Sequence, residues 1–410
     1  MSVDTPEKYI LIIAYRSDED AAEASLDELG RLIETAGGEP VGMFSQKLDH
    51  PDPATYIGSG KALELKEMME VLEADAVVCD DELTPAQHRN LSDILDAKVI
   101  DRTMLILDIF ASHAHTGEGK LQVEMAQLKY RSSHLKGAGI AMSRLGGGIG
   151  TRGPGETKLE TDRRLIGRKI ARLSSDLKEL QNNRMTMRKR RLSSQLNTIA
   201  IVGYTNAGKS TLLNYLTSSD VLSEDKLFAT LDPTTRKCIL PNGSEILFTD
   251  TVGFINKLPH QLIDAFKSTL EEARYADIIL HVVDMSDPET DMHMQVVYDT
   301  LAELGVTGKP VITAFNKCDV AEPDAESHDP LADRVVSISA GTGEHMDDLY
   351  DAIEAVLTAG LEPVDEVIPY TEASRLAYIR KYGQLTEEEY TEDGIRVKGY
   401  IMPGHRTGKE

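Results

Sequence analysis

The chain has 410 residues, enough for about three domains at roughly 150 residues each. Hydrophobic residues make up 41% and charged residues 27%, which excludes a wholly disordered chain and a collagen-like repeat. Formal net charge is −24, but it is unevenly spread: Lys120 to Asn197 carries 18 Lys and Arg against 6 Asp and Glu, a net of +12, while the remainder nets −36. A basic segment in an acidic chain is the electrostatic footprint of a nucleic-acid contact, with a solvated helical face as the alternative.

The three cysteines (Cys79, Cys238, Cys318) form no CxxC pair. That excludes a cysteine-rich zinc module or disulfide scaffold and points to a reducing compartment. The first residues lack the basic, then apolar pattern of a signal peptide, and no run approaches the length of a membrane span. A soluble, cytoplasmic protein is expected. The histidines show no metal-ligand spacing.

In chain order, residues 9–15, 41–46, 74–80 and 97–101 read as strands. They alternate with helices at 19–36, 61–73 and 84–96, the pattern of a parallel sheet. Residues 103–136 are helical in pattern. The glycine-dense stretch 145–158 reads as neither helix nor strand. From Glu156 to about Leu196 a helical pattern returns, with Leu159, Ile166, Ile170, Leu173, Leu177 and Leu180 forming a narrow stripe. That stripe is the seam of a helical hairpin whose other arm is 117–136. Residues 198–358 alternate again, with strands TIAIVG, EILFTD, ADIILHVVD, KPVITAFN and RVVSIS. An Asp-Gly step inside EEEYTEDGIRVKGYIM predicts a terminal β-hairpin. The expected domains are an α/β domain at 1–112, a basic hairpin at 113–197, a second α/β domain at 198–360 and a small α/β piece at 361–410.

The run Gly203-Tyr204-Thr205-Asn206-Ala207-Gly208-Lys209-Ser210 fits GxxxxGK[ST], follows a strand and opens a helix at Thr211. Its glycines allow backbone N–H groups to curl around phosphate oxygens at a helix N-terminus. Lys209 is expected to reach the β- and γ-phosphates, and Ser210 to ligate Mg²⁺. Asp250-Thr251-Val252-Gly253 closes a strand, placing a carboxylate near the metal and the Gly253 N–H near a γ-phosphate. Asn316-Lys317-Cys318-Asp319 follows a further strand. Asp319 can accept from guanine's ring N–H and amino group, a donor pair that adenine lacks. Asn316 is expected to brace the loop, the Lys317 stem to cover the base, and Ser339-Ala340-Gly341 to offer backbone N–H groups to the guanine carbonyl. Between the first two motifs, Phe228-Ala229-Thr230-Leu231-Asp232 and the threonines at 234 and 235 form a candidate switch loop, with Thr230 favoured as the second Mg²⁺ ligand.

These motifs resemble those of translation-factor-like GTPases, and more closely the HflX family of ribosome-associated GTPases. FATLDPTTR, DTVGFI, RGPGETKLETDRR (152–164) and HPDPATYIGSGK (50–61) are similar to that family's forms, over about residues 8–360. The resemblance implies an α/β N-terminal domain, a helical hairpin and a P-loop GTPase domain. It further implies binding of the large ribosomal subunit, with the hairpin loop directed toward the peptidyl-transferase centre, and a role in splitting or rescuing stalled ribosomes. On that reading Arg152, Lys158, Arg163, Arg164, Arg188, Lys189, Arg190 and Arg191 are rRNA phosphate-contact candidates. GTP and GDP are the expected ligands and a monomer the expected state.

Phe254 stands where Ras-like GTPases carry the water-orienting glutamine. Slow intrinsic hydrolysis is therefore expected, completed by the ribosome or by a K⁺ ion held through Asn206. Gly58-Ser59-Gly60-Lys61 resembles half of a second phosphate loop, but Thr55 occupies the position of its leading glycine, which favours a structural turn.

Overall fold

The computed structural model describes residues 6–145, 154–192, 196–217, 227–228, 234–258, 272–321 and 327–401. Its packing divides the chain into two compact units. The first comprises 1–188 with 224–232 and 256–268, and the second the remainder.

In the first unit, β1 (Lys8–Tyr15), β2 (Glu39–Lys47), β3 (Ala76–Cys79) and β4 (Lys98–Asp101) form a parallel sheet in the order β2-β1-β3-β4. The central strands β1 and β3 are continuous apolar runs, as strands covered on both faces must be, and Ile10, Ile12, Val77 and Cys79 are fully buried. Helices α1 (Glu19–Thr35), α2 (Ser59–Leu72) and α3 (Pro85–Leu95) connect them. A reciprocal capping box between Thr84 and Gln87 fixes the start of α3. Gly58 stands at the N-cap of α2 and its N–H donates to Gln46 Oε1 at 2.8 Å, while Lys61 pairs with Glu64. The segment 58–61 is thus a helix start.

The expected helix over 103–136 is two helices. α4 (Arg102–His113) ends at an extended Ala114, and α5 (Gly117–Leu145) begins where Thr116 Oγ1 accepts from the Gly119 N–H at 3.0 Å. The glycine-dense segment is also shorter than read. α5 runs to Leu145, and α6 (Pro154–Leu192) takes in Gly155-Glu156-Thr157-Lys158 because a proline fits the first helical turn. The seam forms between the expected arms: Leu121, Met125 and Leu128 of α5 pack on Ile166, Ile170, Leu173 and Leu177 of α6. Lys169 and Glu124 pair across it at 2.5 Å.

In the second unit, β5 (Asn197–Gly203), β6 (Thr234–Ile239), β7 (Glu245–Asp250), β8 (Ile278–Asp284), β9 (Val311–Asn316) and β10 (Arg334–Ser337) lie in the order β10-β9-β8-β5-β7-β6. All neighbours are parallel except β6 on β7. β6 corrects the reading of 228–236 as one loop: Thr234 and Thr235 pair with Asp250 and Thr249, and the two threonine hydroxyls of 235 and 249 lie 3.0 Å apart. Helices α7 (Lys209–Thr217), α8 (Thr290–Glu303) and α9 (Met346–Leu357) belong to this unit. Leu212, Leu213, Leu349 and Ile353 pack into its core with Ile199, Ile201 and Leu280. At the end of the chain, β11 (Glu362–Ile368), β12 (Gly383–Tyr390) and β13 (Ile395–Ile401) form an antiparallel sheet, and Leu376 and Ile379 of α10 (Ala373–Tyr382) share its small core. The β12–β13 pair is the hairpin expected from the Asp-Gly step. Among the described residues no helix is long and apolar enough to cross a membrane.

His281, on β8, is fully buried with Asp329 4.0 Å from its Nδ1. Burial pushes its pKa from 6.5 down to about 4, Asp329 opposing and Lys209 adding to the shift. The unfolded chain binds a proton here near pH 6.5 and the folded chain does not until about 4. This group's contribution is therefore intact above pH 6.5 and lost as pH falls toward 4, by up to about 1.4 kcal/mol per pH unit. We predict that His281→Phe flattens the loss of stability between pH 7 and pH 5, read by chemical denaturation followed by circular dichroism. An unchanged slope would contradict the assignment.

Candidate active site

A parallel sheet gathers the loops that follow its strands at one end, and ligands bind there. The ends of β5, β7, β8, β9 and β10 carry the described candidates of the 203–211, 250–253, 316–319 and 339–341 motifs.

The phosphate-binding loop leaves β5 at Gly203, whose φ is +158°. A Cβ there would lie 2.2 Å from the Val282 carbonyl oxygen on β8, so only glycine lets the strand approach that closely. Asn206 (φ 61°) and Gly208 (φ 91°) take left-handed conformations that turn the loop into α7. A Cβ on Gly208 would meet Asn316 Nδ2 at 2.2 Å. Ala207 is buried, and Thr211 follows half-buried in the first turn of α7. The Tyr204 ring stacks on His293 of α8, with centroids 3.8 Å apart and planes at 19°.

Lys209 is buried and its ammonium donates to the Tyr204 carbonyl at 2.6 Å. Burial lowers its pKa to about 8, with Asp250 working against the shift. Ser210 Oγ donates to Asp250 Oδ2 at 3.0 Å, and Asp250 is fully buried. A hydroxyl beside a carboxylate is a hard-oxygen donor pair suited to Mg²⁺. Thr251 Oγ1 donates to Ile201 O at 2.7 Å and Val252 is buried, which anchors the turn after β7. A Cβ on Gly253 would come 2.9 Å from Thr205 Cγ2 and 3.0 Å from Lys209 Nζ, so this glycine packs directly on the phosphate-binding loop. Phe254 is 1% exposed, its N–H donates to Gly203 O at 3.1 Å, and its carbonyl accepts from Thr205 N at 2.7 Å. Its side chain is hydrocarbon in a closed environment and cannot orient water.

The base-side loops meet at Asn316. Its Nδ2 donates to Ala207 O at 2.8 Å and its Oδ1 accepts from Ala340 N at 2.9 Å. One buried carboxamide therefore ties the phosphate-binding loop to the 339–341 loop. Lys317 (φ 65°) ion-pairs with Asp284 at the end of β8 at 2.6 Å, Cys318 N–H donates to Ile338 O at 3.2 Å, and Asp319 is exposed. Ser339 N–H donates to Glu344 O at 3.1 Å, so the N–H groups of both Ser339 and Ala340 are engaged within the protein. Of the three residues expected to face the guanine carbonyl, Gly341 is the exposed one.

Asp284 and His293 escaped the sequence reading. Asp284, an acidic residue ending an apolar strand, carried a usable signal. The Tyr204–His293 stack spans two distant elements and carried none. Ala229, Thr230, Leu231 and Asp232 lie outside the described residues, as does Arg152. Phe228 belongs to the first unit, where it is buried edge-on to Phe110 with centroids 4.6 Å apart. Lys158 and Arg188 to Arg191 fall within α6, and Arg163 and Arg164 are exposed on it. No cluster of three or more His, Cys, Asp or Glu suited to a metal occurs among the described residues.

Removing the Asn316 side chain would leave two buried backbone groups without partners, at about 1–3 kcal/mol each. We predict that Asn316→Ala weakens GDP binding by roughly ten- to a hundredfold, measured by titration with a fluorescent GDP analogue. Affinity within about twofold of the parent protein would contradict this role.

Three family models cover most of the chain: GTP-binding GTPase N-terminal over residues 23–111, GTP-binding GTPase Middle Region over 113–191, and 50S ribosome-binding GTPase over 198–317. GTPase HflX of Lacrimispora saccharolytica is 55% identical over 395 residues, covering 96% of this chain and 93% of that one. GTPase HflX of Escherichia coli K12 is 38% identical over 414 residues, covering 99% and 97%. A GTP-binding protein from Sulfolobus solfataricus, solved with GDP, is 25% identical with a TM-score of 0.45, covering 86% of this chain and 99% of that one. With the two HflX relatives matched over nearly their whole length, the chain belongs to the HflX family of P-loop GTPases.

Proposed function

We propose that this GTPase acts on the large ribosomal subunit, binding rRNA through the basic α5–α6 hairpin and hydrolysing GTP with Mg²⁺ at the ends of β5, β7 and β9. The observation that carries the ribosome reading is the charge map. The segment from Lys120 to Asn197 nets +12 in a chain of net −24, and Arg163 and Arg164 stand exposed on α6. The family model named for 50S ribosome binding supports the same partner.

The donor set fits Mg²⁺: Ser210 would ligate it directly and Asp250 through water, with Thr230 as the further candidate ligand. The metal, when bound, would offset charge on the β- and γ-phosphates. Lys209 would turn from the Tyr204 carbonyl to those phosphates, and the Gly253 N–H would report the γ-phosphate. Asp319 would select guanine, and Gly341 would serve its carbonyl. Asn206 is a candidate K⁺ ligand. The chain is proposed to work in the cytoplasm as a monomer, on stalled ribosomes.

Because Phe254 is closed off and apolar, a partner must supply what positions the attacking water. We predict that intact large subunits raise GTP turnover about a hundredfold or more in K⁺ buffer, a barrier change of roughly 2.7 kcal/mol. Equal stimulation by naked RNA would favour a GTP-gated RNA-binding module instead. Fast turnover by the isolated protein in Na⁺ buffer would overturn partner-completed catalysis.

A further inference from the structure

Within the first unit, four helices border a cavity of about 400 Å³ that has no part in the nucleotide site. Its apolar wall is Met104 and Leu107 of α4, Leu135 of α5 and Ile166 of α6, and α3 and α5 each add an imidazole, His88 and His134. A cavity of roughly 150 Å³ lined by aliphatic side chains already takes benzene, and ligand pockets begin near 300 Å³. This space therefore suits a body of about two fused rings. Asp108 and Arg131, both exposed, also border it. Arg131 acts on the Asp108 carboxyl, so the two charges at the cavity offset one another and select neither an anion nor a cation.

The polar feature of the wall is His134. Its ring is held against the Tyr130 ring, centroids 4.2 Å apart, and edge-on to His88 at 6.1 Å. Tyr130 is itself fixed, its hydroxyl donating to the buried Asp101 at 2.8 Å. His134 Nδ1 lies 3.1 Å from the Tyr130 carbonyl oxygen. A carbonyl can only accept, so Nδ1 carries the hydrogen, and in a neutral ring Nε2 is then an acceptor. Ser133 Oγ is 3.3 Å from Nδ1, but its own hydrogen goes to the same carbonyl at 2.6 Å and leaves that assignment unchanged. His134 Nε2 is buried and meets no hydrogen-bond partner in the protein. A buried acceptor without a donor costs about 1–3 kcal/mol, and a molecule in the cavity could supply the donor.

We propose that this cavity is a binding site for a small, neutral aromatic molecule that carries one O–H or N–H donor. Its rings would lie among Met104, Leu107, Leu135 and Ile166, and its donor would serve His134 Nε2. Ile166 also packs on the seam between α5 and α6, so the bound molecule would touch both the hairpin and the helices that flank the N-terminal sheet.

The test is fluorescence titration of the full chain with two probes of nearly the same shape. 2-Naphthol has the donor, and 2-methoxynaphthalene lacks it. The parent protein should bind 2-naphthol about tenfold more tightly than the ether. His134→Phe keeps a ring against Tyr130 but removes the acceptor, and should bring the two affinities within about twofold of each other. Ile166→Trp fills the cavity from α6, should weaken both probes about tenfold or more, and keeps the test available if His134→Phe does not fold. A parent protein that binds neither probe, or both equally, overturns the proposal. So does a preference for 2-naphthol that survives His134→Phe, or binding that Ile166→Trp leaves unchanged.

Discussion

The loops after β5, β9 and β10 leave the same end of the second sheet, and nothing in their local sequence keeps these three in register with one another. The Asn316 carboxamide does so. It spends its donor on Ala207 of the phosphate-binding loop and its acceptor on Ala340 of the base-side loop, in a site closed to water. A buried polar group with both halves satisfied is rigid, and its loss leaves orphaned backbone groups on both sides. The glycines follow from the same constraint. Gly208 has no Cβ because Asn316 Nδ2 occupies that space, and Gly203 has none because β8 does. The phosphate and base halves of the site are thus one packed object.

The catalytic side is built differently. Gly253 lies against Lys209 and Thr205, and Phe254 is stitched to the phosphate-binding loop by two backbone bonds. The position that would position water carries a phenyl ring closed into the protein. The Phe254 side chain itself is hydrocarbon and offers a nucleophile neither a hydrogen-bond donor nor an acceptor. Four residues beyond Gly253, the exposed Lys257 pairs with the buried Asp80 of the first unit, which Arg102 also holds.

Much of this was legible in the sequence, for definite reasons. The continuous apolar runs of β1, β5 and β8 mark parallel strands covered on both faces. The glycine spacing of 203–210 has a steric cause, and the seam of α6 is written in its three- and four-residue steps. What escaped notice lacked a local signal. β6 is a short edge strand, TTRKCI, with only Cys238 buried, and it follows a proline. The split between α4 and α5 hangs on one threonine cap. The Lys257–Asp80 pair joins residues 177 apart in sequence, which no periodicity reveals. The engagement of the Ser339 and Ala340 N–H groups depends on partners in other loops.

The account stands or falls on the second α/β unit being a guanine-nucleotide site whose base contact is Asp319. The direct measurement is calorimetric titration of the purified chain with GDP and with ADP, repeated on Asp319→Asn. The account predicts tight GDP binding, ADP binding weaker by about four orders of magnitude, and loss of the GDP preference in the variant. Comparable affinity for the two nucleotides, or a preference that survives Asp319→Asn, would contradict it.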